Sequence, residues 1–366
     1  MAGKRLAILT SGGDSPGMNA AVRAATLVAL DLGFTVLGVR RGYRGLVDGE
    51  FITLDSADVA DLIRRGGTLL GSARCPEFLE RGTRDTARRM LKAARISHLL
   101  VIGGNGSLAG AAALTDPEEV DPKDPPLSVV GLPASIDNDI GHTTMAIGVD
   151  TAMNTIIEAC DKIADTAQAH GRTFIVEVMG RDCGYLAMAT SIAAGADLVM
   201  FRESGKAHET LVTEVCDAVA AARLRANHRV LVIKSEGVNF PLDALKSGIK
   251  AELKARGGDV AQTEVRVVVL GHVVRGGSPS AFDRLMSSRL GSAGVRALNE
   301  GHSRVMVGWQ PSTPPPGAVR SSLDPRCWLV PLDAVQGETR ALLDGTSEAA
   351  RWRVKVFDDI EQVLRL

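Results

Sequence analysis

Short aliphatic runs punctuate the chain, each stopping at glycine or a polar cluster and each followed by residues with helical spacing. "LAILT" runs into "SGGDSPGMN" and then into the Ala-rich "AAVRAATLVALDLG". "FTVLGV" precedes "RRGYRG", "HLLVIGG" precedes "NGSLAGAAAL", and "LSVVGL" precedes "PASIDNDIG". Further along come "TFIVEVMGRDCG", "RVLVIKSEG" and "VRVVVLGHVVRGGSP". Runs this short, rich in Val and Ile and alternating with helices, predict βαβ units and a parallel, doubly wound α/β sheet. Ligands of such sheets sit beyond the carboxyl ends of the strands. Asp14, Asn105, Asp137, Arg181, Glu236, His272 and Arg275 fall at those ends.

Two stretches interrupt the pattern. "DPEEVDPKDPP" (116–126) reads as a surface loop from its prolines and charges, and "STPPPG" (312–317) as a second break with a more polar chain beyond it. At 366 residues the chain suits two domains or one large α/β unit. Hydrophobic residues make up 45% and aromatics only 4%, with 39 glycines, a mix that fits helices packed closely on a parallel sheet. The net charge of −1 gives no electrostatic reason for a nucleic-acid or membrane partner. The five cysteines are scattered without CxxC spacing, as reduced thiols in a cytoplasmic protein would be. The amino-terminal "MAGKRLAILTSGGD" lacks the long apolar segment of a signal peptide, so the expectation is a soluble intracellular protein.

Four constellations carry candidate chemistry. In "TSGGDSPGMN" (10–19), Gly12, Gly13 and Gly17 lie between a strand and a helix, where backbone N–H groups either cradle an anion or serve an ordinary turn. No GxxxxGK[ST] loop occurs. "GGNGSLAG" (103–110) matches G-x-G-x-x-[G/A], but the next strand ends in Gly-Leu-Pro instead of the acidic residue that a dinucleotide needs. "SIDND" (135–139) places two carboxylates two residues apart, suited to deprotonating a hydroxyl and placing Mg²⁺, or to capping a helix. Arg172, Arg181, Arg266, His272 and Arg275 form a cationic set beside strand-end glycines. Arginine forks bind phosphate bidentately, whereas any single one is more often a surface ion pair.

Taken together, "TSGGDSPGMNAAVR", "GGTLLGSARCPEF", "IGGNGS", "SIDND", "RTFIVEVMGR" and "LGHVVRGGSPSAFDR" resemble the 6-phosphofructokinase family, in order from Lys4 to Gly308. The resemblance is to the bacterial, ATP-dependent type and implies two doubly wound domains with mostly parallel sheets. It implies a larger ATP-binding domain over residues 1–149 plus about 274–310. A smaller sugar-phosphate domain would take 150–273 plus about 311–366. Gly13, Arg74, Cys75, Gly104, Asn105, Gly106 and Ser107 would contact ATP. Ser135, Ile136 and Asp137 would meet fructose 6-phosphate, with Asp137 taking the proton of its 1-hydroxyl. Met179, Gly180, Arg181 and Glu236 would line the sugar pocket, with Arg181 also assisting transfer. His272, Val273, Val274 and Arg275 would hold the 6-phosphate, with Arg172 and Arg266 reaching in from a neighbouring subunit of a homotetramer. Mg²⁺ would be met by Asn105 and, through water, by Asp139.

Three departures from the family pattern stand out. Asn105 replaces the aspartate used near Mg²⁺; an amide oxygen can still hold a metal-bound water. Gly106 and Ala134 stand where pyrophosphate-using relatives carry Asp and Lys, so small residues leave room for the nucleoside of ATP. Arg23 is kept in the effector region, but Leu27 and Ser56 replace expected arginines, so anionic effectors should act weakly. An NAD kinase, another user of a GGDGS-like loop, would lack "LGHVVRGGSP". A pyrophosphate-dependent relative, a kinase of another sugar phosphate, or a sugar-phosphate-binding regulator without catalysis are the other readings.

Overall fold

The computed structural model describes residues 4–224, 229–311 and 313–364; Ser312 of the expected break, Met1–Gly3 and residues 365–366 lie outside them. The chain forms two compact units, Met1–Thr151 with Arg275–Ala341 and Ala152–Val274 with Leu342–Leu366.

The first unit is built on an eight-stranded sheet. In chain order its strands are β1 (Arg5–Ser11), β2 (Thr35–Val39), β3 (Phe51–Thr53), β4 (His98–Gly103), β5 (Ser128–Pro133), then β10 (Val305–Trp309), β11 (Val319–Arg320) and β12 (Cys327–Pro331). They lie side by side as β11-β12-β10-β5-β4-β1-β2-β3. The five inner strands from β10 to β2 run parallel. The short β3 and the β11–β12 pair close the edges antiparallel. Helices α1 (Met18–Asp31) and α9 (Ala281–Asn299) share one core with Leu6, Ile8, Leu100, Ile102, Val130 and Leu132 of the sheet. They approach so closely that a Cβ on Gly291 would lie 2.7 Å from the Ala21 carbonyl oxygen. Small residues on these helices are therefore a packing requirement.

The second unit has a four-stranded, all-parallel sheet in the order β7-β8-β6-β9. These strands are β6 (Thr173–Val178), β7 (Leu198–Met200), β8 (Val230–Ser235) and β9 (Val265–Val269). Helices α7 (His208–Leu224) and α8 (Leu242–Arg256) cover it through Leu211, Val215, Val219, Leu245 and Ile249. The strand-and-helix alternation predicts this architecture.

One boundary differs from expectation. The resemblance implies that about 311–366 belongs to the smaller domain, but β11 and β12 extend the large sheet and the segment up to Ala341 belongs to the first unit. Backbone pairing with β10 outweighs the break at 312–317. No helix among the described residues is long and apolar enough to cross a membrane.

Candidate functional site

In the first unit β1 and β4 are neighbours, with Ser11 opposite Gly103. From β1 the chain passes to β2 on one side, whereas β5 follows β4 on the other. This reversal of strand order is where such sheets open a crevice for ligand. The two glycine loops flank it. Gly12 (φ 87°) and Gly17 (φ 113°) take left-handed conformations. A Cβ on Gly103 would come within 2.4 Å of both the Ser107 Oγ and the Ser11 carbonyl oxygen. The Ser72 hydroxyl donates to the Gly12 carbonyl at 2.5 Å.

Helix α4 (Asn105–Leu114) starts at the second loop. The Ser107 and Leu108 amides donate to the Gly104 carbonyl at 3.0 Å, and the Asn105 and Gly106 amides ahead of them have no place in the helical ladder, which suits them to an anion. Tyr43, which sequence reasoning missed, braces this start: its hydroxyl donates to the Ser107 carbonyl at 2.6 Å and its ring stacks on Phe78. Burial pushes the Tyr43 phenol up, so the proton stays in that bond. Its only sequence signal was an isolated aromatic in "RRGYRG".

The turn after β5 is held by Asn138, a second residue that sequence reasoning passed over. It is buried at φ 52°, donates to the Thr144 carbonyl and accepts from the Ala146 amide, both at 3.0 Å. Asparagine tolerates this left-handed conformation. On the same turn the Ser135 hydroxyl donates to Asp139 Oδ1 at 2.7 Å, and Asn105 Nδ2 donates to Asp139 Oδ2 at 2.5 Å. Asp139 thus ties the loops after β4 and β5 together. Asp137 sits half-buried between Ser135 and Asp139 in sequence.

The small residues behave unequally. A Cβ on Gly106 would meet nothing within 4 Å, so this position opens onto free space. Ala134 is only 1% exposed and belongs to the core, so it contributes no such room. Ile136 and Val274 are also fully buried, so neither offers a side chain to a ligand. Arg74 is exposed; Cys75 is half-buried, its thiol pushed up by burial and by Glu77, hence a neutral contact and no nucleophile. Arg275 lies on the first unit's glycine loop: its Nη1 donates to the Asp14 carbonyl at 3.3 Å and would be 2.6 Å from a Cβ on Gly13.

In the second unit, Met179, Gly180 and Arg181 follow β6, Glu236 follows β8, and His272 and Val273 follow β9. These are the carboxyl ends of three adjacent strands. Gly180 has φ 119°. A Cβ on Gly237 would fall 2.1 Å from the Arg181 carbonyl oxygen, so the two turns touch backbone to backbone.

Arg172 and Arg266 do not join them. Arg172 precedes β6 and Arg266 is the second residue of β9, so both lie at the amino end of the sheet. The six residues of β6 separate Arg172 from Met179, about 23 Å at ~3.3 Å per residue. Both arginines pair with Glu264, Arg172 Nε at 2.5 Å, and this holds the Glu264 carboxyl below its usual range, chiefly through the Arg172 hydrogen bond. The expectation that all five cations lie beside the strand-end glycines is corrected for these two.

Among the described residues no cluster of three or more His, Cys, Asp or Glu is arranged to hold a metal. The site does offer the Asn105 Oδ1, buried and without a hydrogen-bond partner, next to a carboxylate. That donor set fits a hard cation that keeps its waters and leans on substrate phosphates.

Comparison with known proteins is consistent across sequence and structure. The profile of the family described as Phosphofructokinase matches residues 5–298. The ATP-dependent 6-phosphofructokinase of Clostridium acetobutylicum is 43% identical over 305 residues, covering 83% of this chain and 89% of that protein. ATP-dependent 6-phosphofructokinase 1 of Thermus thermophilus is 44% identical with the same coverage. The solved phosphofructokinase of Saccharomyces cerevisiae superimposes with a TM-score of 0.82 at 31% identity over 97% of this chain, which spans half the length of that yeast chain. This protein belongs to the phosphofructokinase family.

Proposed function

We propose that the protein transfers the γ-phosphoryl group of ATP to the 1-hydroxyl of D-fructose 6-phosphate, giving fructose 1,6-bisphosphate and ADP, in the cytoplasm. The observation that carries this reading is the joined pair of loops after β4 and β5: a glycine-rich helix start beside a locked turn bearing Asp137. Gly13 and the Gly104–Ser107 loop receive the nucleotide phosphates, with Arg74 and Cys75 along the nucleotide. Gly106 leaves the opening that a nucleoside needs. Met179, Gly180, Arg181, Glu236 and His272 hold the sugar phosphate.

The 1-hydroxyl oxygen attacks the γ-phosphorus in line, the bond to the β–γ bridging oxygen breaks, and the hydroxyl proton passes to the Asp137 carboxylate. Such a transfer asks for positioning and charge neutralisation more than covalent chemistry. Asn105 Oδ1 would hold Mg²⁺ through water, with Asp139 behind it; the ion when bound neutralises phosphate charge. Arg275 would hold the 6-phosphate together with His272.

The position of Arg172 and Arg266 at the far end of their own sheet supports their serving a neighbouring copy, and so a homotetramer with shared sites. Nucleotide and phosphoenolpyruvate effects should be weak, given Leu27 and Ser56.

A coupled assay supplying Mg²⁺ with ATP or pyrophosphate, and fructose 6-phosphate, tagatose 6-phosphate or sedoheptulose 7-phosphate, tests the reading. Turnover is expected with ATP and fructose 6-phosphate, at least tenfold above any other combination. No turnover, or a preference for pyrophosphate or another sugar, overturns it.

A further inference from the structure

Lys234 is the anomaly of the second unit. It stands in "VLVIKS", a strand otherwise aliphatic until its final serine, and is only 1% exposed. Its neighbour across the ladder is Glu177 of β6, and Lys234 Nζ donates to Glu177 Oε2 at 2.8 Å. Two aliphatic side chains in these places would hold the strands together as well, because desolvating both ions offsets most of their attraction. What sets the pair apart is what else it touches.

The same ammonium donates to the Ser235 carbonyl at 3.2 Å. Ser235 is the last residue of β8 and the junction of the two turns described above. Its hydroxyl donates to the Gly180 carbonyl at 2.5 Å and accepts from the Gly237 amide at 3.2 Å. The Glu236 amide in turn donates to the Val178 carbonyl at 2.9 Å. The strut thus runs from Glu177 through Lys234 to Ser235, and from there into both Gly180–Arg181 and Glu236–Gly237. An aliphatic side chain at 234 packs as well but cannot fix the Ser235 peptide.

We propose that Lys234 is a positioning residue for sugar-phosphate binding: paired with Glu177, it fixes the Ser235 peptide and so the placement of Arg181 and Glu236. This rests on the functional reading above. Displacing a substrate-positioning group by about 1 Å can cost on the order of a hundredfold in rate, so the expected effect is large for a residue that touches no substrate.

The test compares the full-length parent, K234M and the double variant E177M/K234M. The quantities measured are kcat, KM for each substrate, fructose 6-phosphate binding by calorimetry, and Tm. The double variant removes both charges together, so its Tm should stay at or above the parent's. The proposal expects KM and Kd for fructose 6-phosphate to rise about tenfold or more in both variants, with KM for ATP changed less than twofold. Parental sugar affinity in the double variant overturns the proposal. So does failure of the double variant to fold, which would make the pair structural. Should K234M alone not fold, the double variant decides. A parent that neither binds nor turns over fructose 6-phosphate contradicts the functional reading instead, and is told apart by that control.

Discussion

At Asn105 a neutral amide opens helix α4, and it turns its nitrogen toward Asp139 Oδ2, 2.5 Å away. Both Asp139 oxygens are then engaged, one by Asn105 and one by Ser135. A carboxylate at 105 would face Asp139 with like charge, a geometry that either raises one of their pKa values or attracts a cation. Asn105→Asp is therefore expected to bind Mn²⁺ in the absence of nucleotide at least tenfold more tightly than the parent, read by paramagnetic resonance of the free ion. One extra unit charge at this distance is worth on the order of 1–4 kcal/mol, enough for that change. Equal Mn²⁺ affinity would show that residue 105 has no part in meeting the metal.

The 116–126 loop shows what an irregular element can contribute. Its sequence reads as solvated, yet Glu119 is drawn in against Arg84 and Arg88 of helix α3 (Arg81–Ala93). The Arg84 hydrogen bond, foremost among several causes, brings the Glu119 carboxyl down to about 2 from 4.5. A carboxyl depressed by folding stabilises above its unfolded value and loses that contribution as pH falls toward the folded one. For Glu119 the window runs from about pH 5 to pH 2. After solvent screening the pair is worth about 1–2 kcal/mol. Glu119→Gln should be less stable than the parent by that amount in urea unfolding at pH 7, with the gap shrinking by more than half at pH 3. A gap independent of pH would assign the loss to packing. The strands that begin at valine-rich runs, and the glycine loops after them, were legible because period and turn chemistry are local. Glu119, Tyr43 and Asn138 were not, because each acts through a partner distant in sequence or a backbone conformation that no spacing announces. The pairing of Lys234 with Glu177 was hidden for the same reason.

Across the whole molecule, chain length left two domains or one large α/β unit open and the family resemblance implied two, whereas the placement of 311–341 depended on which strand edge lay free. Family membership was legible because six motifs occur in one order; five of them fall at a strand end, and "GGTLLGSARCPEF" lies in the irregular stretch between β3 and β4. Composition could not separate the arginines: Arg181 lies at a carboxyl end and Arg172 at an amino end of the same strand, a difference set by strand direction alone. Under the proposed function Asp137 of the first unit removes the proton while Arg181, Glu236 and His272 of the second bind the sugar phosphate, and these tasks should separate on mutation. The most direct test is the kinetics of Asp137→Asn with saturating ATP and Mg²⁺. A positioned general base contributes roughly 10²–10⁴-fold, so kcat should fall by about a thousandfold while fructose 6-phosphate still binds within about threefold of the parent. Turnover by Asp137→Asn at the parental rate would contradict the assignment of Asp137 as the base.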